Sequence, residues 1–513
     1  MVVIYKQSPS KLTDRRIDPW HYQPSFEKQI NKIAKNLGNL SLESVINSEH
    51  GVSSGATPLG ANYLEKGRVR FYRTSEVEEM FLVSEEAVYI TDEDDEKLKR
   101  SRLIEGDILL TITGAKFGKS AVVGADHLPG NISQHSVRFK PSSEKIDSHF
   151  LVAYLNCPTG QIAIWREAYG ATRPAIDFPS IRALIIPKVE LDAQKYIGDK
   201  VRQAEQLRAW AKELESEIEQ VLNTSEYLVA CNTPDAKISH PTLNDLSNRL
   251  DPKYYDSKAI AVERFTKKSG TLLGSLIKSI ANGFEERNFV NEGVPYITVT
   301  EVSSGRLNVQ DAPQIGSDIS IPSKAIIHER CVLVVRTGSI GTAIKVNILD
   351  KGCVISSHLI RLEFEEEETA AAVSVFLNST AGKILLHKIS YGAVQPQIGQ
   401  EELLALYIPD YVLNKKTTCL TLLENYELTT RASKSLIRTA KTLVEALIEG
   451  QLTEEQLIQA QQALEDGDNT LDKTILSKLS SEGYAVEGAT PLFSDIDELY
   501  RLLASATAAD SED

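Results

Sequence analysis

Short stretches of alternating apolar and polar residues run through the chain, and they predict strands. "GDILLTITG" (106–114) and "CVLVVRTG" (331–338) are apolar, β-branched runs ending in Thr-Gly, the mark of a strand entering a turn. "HSVRFK" (135–140) and "HLIRLE" (358–363) alternate as a strand with one buried face does. "DSHFLVAYLNC" (147–157) and "AAAVSVFLNS" (370–379) read as short helices. Two stretches then change to helical spacing. Ile197, Val201, Ala204, Leu207, Ala211, Leu214, Ile218 and Val221 are separated by threes and fours. Leu422, Tyr426, Thr429, Ser433, Leu436, Ala440, Leu443 and Leu447 keep a strict 4-3-4-3 rhythm, a narrow seam suited to another helix. Two long helices are therefore expected, over 191–225 and 412–450.

The same patterns occur in the same order in each half. "RIDPWHY" (16–22) returns as "RLDPKYY" (249–255), "NLSLESVI" (39–46) loosely as "TLLGSLIK" (271–278), and "VRFYRTSEV" (69–77) as "VPYITVTEV" (294–302). "GDILLTITGAKFGKSAVV" (106–123) matches "ERCVLVVRTGSIGTAIKV" (329–346), whose turn is one residue tighter. "NISQHSVRF" (131–139) matches "VISSHLIRL" (354–362), and "LNCPTGQ" (155–161) matches "LNSTAGK" (377–383). "YGATRPAI" (169–176) matches "YGAVQPQI" (391–398), and "IIP" (185–187) matches "YIP" (407–409). Such an ordered series predicts a duplication. The fold expected is α+β: two β-rich bodies, each closed by a long helix. If a pseudo-twofold axis relates the copies, the helices run antiparallel and hold the bodies apart. At about 1.5 Å per residue, a helix of ~30 residues sets a spacing of roughly 45 Å.

The remaining residues, 451–513, predict a small helical tail with starts near Thr453, close to Glu455 and Gln456, near Leu471 and near Ser494. Leu492, Phe493, Ile496, Leu499 and Tyr500 form a candidate sticky face. It suits either a docking element or a satellite packed on this chain.

The chain has 513 residues, enough for two to four domains, and a formal charge of −15. That charge argues against a nucleic-acid partner until its distribution is considered. Residues 451–513 hold fourteen Asp or Glu against three Lys or Arg. The rest is close to neutral, which leaves room for a locally basic groove. Apolar runs such as Ile185–Pro187 and Leu403–Ile408 are far too short to span a bilayer. The opening "MVVIYKQSPSKLTDRR" has no apolar signal core, and the five cysteines form no CxxC pair, so a reducing cytoplasm is expected.

Candidate chemistry fails on its own residues. "GAKFGKS" (114–120) is one residue short of a phosphate-binding loop, and its counterpart "GSIGTAI" has no lysine. "DPKYY" approaches an amino-methyltransferase motif but has Lys253 in place of the second proline, and no Gly-rich cofactor fingerprint follows a strand. The nine histidines show no ligand spacing, although His135 and His358 recur at matching sites. There is no G-x-S-x-G elbow. No catalytic residue, metal site or cofactor is expected.

"GDILLTITGAKFGKSAVV", "NISQHSVRF", "YGATRPAI" and "IIP" leading into "DAQKYI", with their second-copy counterparts, resemble the specificity (S) subunits of type I restriction–modification systems. The resemblance covers about residues 16–450. Two departures stand out: the helix start "LDAQKYI" is blurred to "LNKKTTC" in the second copy, and the turn "TGSIG" is short.

The resemblance implies a target recognition domain at 1–190, a spacer helix at 191–225 and a linker at 226–248. A second target recognition domain follows at 249–411, then a second spacer helix at 412–450 and the tail at 451–513. It further implies that each recognition domain reads one half of a bipartite site in double-stranded DNA. The helices would act as a ruler and dock two methyltransferase (M) subunits, with restriction (R) subunits joining them. Those partners would bring S-adenosylmethionine and ATP, and this chain no cofactor. A type II specificity chain, whose one partner both cuts and methylates, is a close alternative. A duplicated scaffold that does not bind DNA, or a nuclease built into the chain, are more distant ones.

Residues identical in both copies cannot supply the difference between two half-sites, so they are expected to build the frame or touch phosphates. Thr113, Gly114, Thr337, Gly338, Tyr169 and Tyr391 belong here, with Pro174 and Pro396. Residues that differ are expected to read bases. Arg173 suits guanine and Gln395 suits adenine. Gln397 against Ala175, Gln134 against Ser357, and Arg70 and Arg73 against Pro295 and Thr298 follow. Lys116, Lys119, Arg336 and Lys345 are expected as phosphate contacts.

Overall fold

Three small sheets occur once in the first half of the chain and again in the second, where one of them gains an extra edge strand, Phe289–Val290, on Gln314–Ile315. The computed structural model describes all residues except 1–5, 10–11, 14–15, 59, 61–62, 171, 235, 237, 250, 303–304, 393 and 511–513. Those residues divide into two compact units: 1–210 with 429–513, and 211–428.

In the first unit a four-stranded antiparallel sheet has the order Ser53–Ser54, Ser136–Phe139, Ile108–Thr111, Ser120–Val122. In the second the order is Ile277–Asn282, Leu359–Phe364, Cys331–Val335, Ala343–Lys345. Leu109 lies opposite Arg138, and Leu333 opposite Arg361. A further sheet centres on Val69–Tyr72, antiparallel to Val88–Ile90 and parallel to Gly130–Ile132. Its counterpart centres on Val294–Ile297, antiparallel to Gln314–Ile315 and parallel to Val354–Ile355. The third is a two-stranded ladder, Asn39–Ser41 on Ile185–Pro187 in one unit and Gly270–Leu272 on Tyr407–Pro409 in the other.

That ladder corrects one sequence match. Asn39 faces Pro187 and Gly270 faces Pro409, so Leu42 aligns with Leu273, one residue away from the pairing of "NLSLESVI" with "TLLGSLIK". Both leucines are fully buried, and their burial sets the register. The cores repeat as well. Tyr72, Val77, Leu109 and Ile132 in one unit correspond to Ile297, Val302, Leu333 and Ile355 in the other. Burying each such side chain contributes about 1.5–3 kcal/mol.

Two short helices follow the strands in each copy: Ser148–Asn156 with Pro158–Glu167, and Glu367–Asn378 with Thr380–Ile389. The asparagine ending the first of each pair serves the edge strand. Asn156 Nδ2 donates to the Ser120 carbonyl at 2.8 Å, and Asn378 Oδ1 accepts from the Ala343 N–H at 3.0 Å. One residue separates the helices of each pair, which brings them into close contact. A Cβ at Gly160 would lie 1.8 Å from the Tyr154 carbonyl oxygen, and one at Gly382 2.2 Å from that of Phe376. Gly160→Ala and Gly382→Ala are therefore each expected to cost at least about 1–3 kcal/mol, the range for overpacking that shifts backbone. Urea unfolding of the full chain checks this: the midpoint should fall, and an unchanged midpoint contradicts it.

The long helices run over Leu191–Leu222 and Lys416–Glu449, and each unit holds part of both. In the first unit Ser433 Oγ donates to the Ala204 carbonyl at 2.8 Å. In the second, Tyr411 OH donates to the Leu222 carbonyl at 2.9 Å. Thr429, Ser433 and Ala440 are buried, small members of the predicted seam that let backbones approach. The blurred motif before the second helix is a real irregularity. A short helix, Asp410–Leu413, stops before Lys416 restarts the turn.

Tail helices span Glu454–Glu465, Thr470–Leu476 and Ile496–Asp510. Thr453 caps the first, accepting from Gln456 N–H, and the Gln456 side chain accepts from Thr453 N–H. The tail packs on the first long helix. Glu190 N–H donates to Glu454, Lys195 pairs with Glu465 at 2.6 Å, and Gln461 Nε2 donates to Asp199 at 3.2 Å. Leu499 is buried, and Tyr500 OH donates to Asp472 at 2.5 Å. Part of the candidate sticky face is thus turned onto the chain itself.

Candidate nucleic-acid interface

The doubled loop is a small hairpin with the same main-chain bonds in both copies. Tyr169 N–H donates to the Ala175 carbonyl and Ala175 N–H to the Tyr169 carbonyl, both at 2.9 Å. Tyr391 and Gln397 repeat the exchange at 2.9 and 2.8 Å. Gly170 and Gly392 have φ of +94° and +95°, a conformation that favours glycine. Ala171 and Ala393 lie outside the described residues. Arg173 and Gln395 sit exposed at the tips, beside Pro174 and Pro396. Tyr169 and Tyr391 are also exposed, at 51% and 43%.

Each hairpin is joined to two further loops through one residue at the end of the central strand. Ile112 N–H donates to the His135 carbonyl, and the Ile112 carbonyl accepts from Ile176 N–H. Arg336 does the same between His358 and Ile398. The hairpin, the Thr-Gly turn and the His135 or His358 turn therefore converge in each unit. Thr113 bridges Ala175, and Thr337 bridges Gln397, which gives both threonines a framing role. Gly114 and Gly338 have φ of +96° and +88°, and no atom lies within 4 Å of where a Cβ would stand. That side of each turn is open to close approach, although Gly338 N–H already donates to the Pro396 carbonyl at 3.1 Å.

A clasp missed in the sequence fixes the base of each hairpin. Arg16 donates through Nη1 to the Glu167 carbonyl at 2.6 Å and through Nη2 to the Ala168 carbonyl at 3.2 Å, while Nε holds Asp18. Arg249 donates to the carbonyls of Ile389 at 2.7 Å and Ser390 at 2.8 Å, while Nε holds Asp251. Tyr22 and Tyr255 hydroxyls each donate to the carbonyl of their clasp arginine at 2.6 Å. The Arg16 guanidinium bound to Asp18 keeps that carboxyl below the usual carboxylate range. The recurring R-x-D-P was the signal, and its target lies some 150 residues further along in the first copy.

Most of the candidate cations are already engaged. Lys116 and Lys119 both pair with Glu78, the latter at 2.7 Å. Burial pushes the Glu78 carboxyl up, but the two ammonium groups hold it below its ordinary value. Arg73 pairs with Glu76 at 2.7 Å, and Arg70 donates to the Asp126 carbonyl at 2.8 Å. Arg336 Nη1 makes a long 3.4 Å contact with the Ser357 carbonyl. Lys345 is turned inward, 5% exposed and 2.6 Å from Glu367, because a helix covers its edge strand, which takes it out of reach of a surface ligand. Gln134 is exposed and accepts from the Thr57 hydroxyl. Arg173 has no hydrogen bond or ion pair among the described residues, so its five donors are free for a ligand.

Among the described residues, no group of three or more His, Cys, Asp or Glu is placed to hold a metal ion. No single helix among them is long and apolar enough to cross a membrane.

Residues 36–220 match the family described as "Type I restriction modification DNA specificity domain". Over 190 residues the chain is 25% identical to the type I restriction enzyme EcoBI specificity subunit of Escherichia coli, a match spanning 37% of this chain and 39% of that relative. Among solved structures, it is similar to a type I restriction–modification S subunit from M. genitalium, at 13% identity and a TM-score of 0.43. That likeness covers 80% of this chain and 96% of the other. An HsdS subunit from Thermoanaerobacter tengcongensis matches at 14% identity and a TM-score of 0.28, over 81% and 97% of the two chains.

Proposed function

We propose that the chain reads a bipartite double-stranded DNA site, because residues 36–220 match the family described as "Type I restriction modification DNA specificity domain" and the sheets of the first unit recur in the second. Each unit reads one half-site through its own hairpin. One observation carries this reading: two hairpins closed by the same pair of main-chain bonds present Arg173 in one copy and Gln395 in the other. A common frame with unlike tips is what two different half-sites require. Arg173 pairs with a guanine edge, Gln395 and Gln397 with adenine, while Tyr169, Tyr391 and the backbone at Gly114 and Gly338 approach phosphates. Methylation and cleavage belong to partners: two methyltransferase subunits docked on the long helices, and restriction subunits beyond them. The chain itself positions and takes no cofactor.

The test is the methylation pattern made by the chain assembled with its methyltransferase. Arg173→Ala is expected to relax one position of one half-site by about 1–3 kcal/mol, roughly 5- to 150-fold in preference. Sequencing methylated sites across a genome reads this directly. Equal relaxation of both half-sites contradicts the division of labour. Absence of any sequence preference in the unaltered assembly points instead to a scaffold.

A further inference from the structure

The two units differ at a place beside the hairpin. In the first, Trp20 meets Phe26 edge-on at 5.3 Å, and its indole N–H donates to the Trp165 carbonyl at 2.7 Å. Trp165 in turn packs on Phe117 at 4.9 Å. In the second unit the aligned positions of Trp20, Phe26 and Trp165 are Lys253, Ala259 and His387. The aromatic plug is gone, and a cavity of about 360 Å³ stands there, with Ala259 and Ile384 among its lining residues.

The rim is cationic. Lys253, Lys258 and Lys383 line the cavity, and their counterparts in the first unit are Trp20, Ser25 and Gln161. Lys258 and Lys383 have no carboxylate partner among the described residues. The carboxylate on the rim, Asp256, is occupied with the helix it caps, accepting from Lys258 N–H at 3.0 Å and Ala259 N–H at 3.1 Å. Lys388 also lines the cavity but is buried, 3.2 Å from Glu263 and over the Tyr254 ring. The cavity lies next to the loops already described. Lys253 Nζ donates to Ser390 Oγ at 3.2 Å, one residue before the hairpin, and His387 lies against Gly341 of the glycine turn.

We propose that this cavity seats one sugar–phosphate unit of the DNA backbone flanking the half-site read by the second hairpin. The deoxyribose rests on Ala259 and Ile384, and its phosphate is held by Lys253, Lys258 and Lys383. The inference rests on the DNA-reading function above. Three ammonium groups over an aliphatic floor match that ligand in charge and in its apolar sugar face. They confer affinity and salt dependence without sequence information, since every nucleotide offers the same backbone. The first unit, plugged by indole rings, lacks such a contact, so the two half-sites are held with unequal ionic contributions.

The experiment uses the full chain assembled with its methyltransferase on a duplex carrying the mapped site. The triple variant K253Q/K258Q/K383Q keeps the side-chain stems, and its melting temperature controls for folding. The slope of log affinity against log salt is expected to shrink by about 0.9, one phosphate, with the preferred bases unchanged. Ethylating backbone phosphates around the second half-site is expected to weaken the unaltered assembly, and the variant much less at one position. An unchanged slope overturns the proposal. So does millimolar inorganic phosphate or ATP binding the unaltered chain through these lysines while the DNA slope stays the same, which assigns the cavity to a free anion. If the unaltered assembly shows no sequence-specific binding, the DNA-reading function itself fails and the inference falls with it.

Discussion

Asp472→Ala is expected to destabilise the first unit by about 3–5 kcal/mol, the cost of leaving a buried charge unpaired. Asp472 is 2% exposed and accepts from Tyr196 OH and Lys200 Nζ, both at 2.6 Å, and from Tyr500 OH at 2.5 Å. Tyr196 and Lys200 stand on the first long helix, Tyr500 on the last tail helix, so one carboxylate joins three helices. The Lys200 side chain is 1% exposed, and without Asp472 its ammonium has neither water nor an anion. The magnitude reflects breaking the pair, not its net worth. Asp472→Leu combined with Lys200→Met is therefore expected to recover much of the loss.

The pair also predicts an acid response. Burial raises the Asp472 carboxyl, but Lys200 and the hydroxyl donors outweigh it, so its folded value lies below the ordinary one. A depressed carboxyl stabilises fully above the unfolded value and loses that contribution as pH falls through the folded one. Amide hydrogen-exchange protection in residues 470–510, relative to the unfolded chain, should stay high from neutral pH to about 5 and fall in stronger acid. In Asp472→Ala it should be low throughout. High protection in that variant at neutral pH contradicts the role given to Asp472.

The second large effect concerns the clasp. Arg16→Met is expected to cost about 3 kcal/mol, because two main-chain carbonyls lose a charged donor and the Asp18 carboxylate loses its partner. The damage should be local to the hairpin at Tyr169. Under the proposed function, the chain assembled with its methyltransferase should lose preference at the first half-site and keep it at the second, and Arg249→Met should give the mirror result. Methylation mapping on both variants distinguishes this from general unfolding, which removes both half-sites together.

The duplication, the central strands and both long helices were legible in the sequence because each is written locally. A Thr-Gly after a β-branched run, or apolar residues at helical spacing, needs no distant information. The partners of charged residues are not local. Lys116 and Lys119 looked like phosphate ligands within "GAKFGKS", but the carboxylate they share, Glu78, comes from a separate loop. Lys345 is expected from the sequence to meet a phosphate, yet its side chain is buried against Glu367, on the helix that covers that edge strand. Asp472 lies 272 residues from Lys200, and nothing around either predicts the other. The cavity beside the second hairpin is hidden for another reason. It becomes visible only when Trp20, Phe26 and Trp165 are set against the smaller or charged residues that replace them.

The hairpins are held by peptide groups, and this shapes how new specificities can arise. The tip side chains touch none of the bonds that close the loop, so exchanging them should alter stability by no more than the ±0.5 kcal/mol typical of surface changes. Recognition can then drift one residue at a time, and intermediates along the way stay folded. Under the proposed function, each unit offers its own variable tip on a repeated frame, so a lineage could acquire a new half-site without renegotiating the rest of the chain.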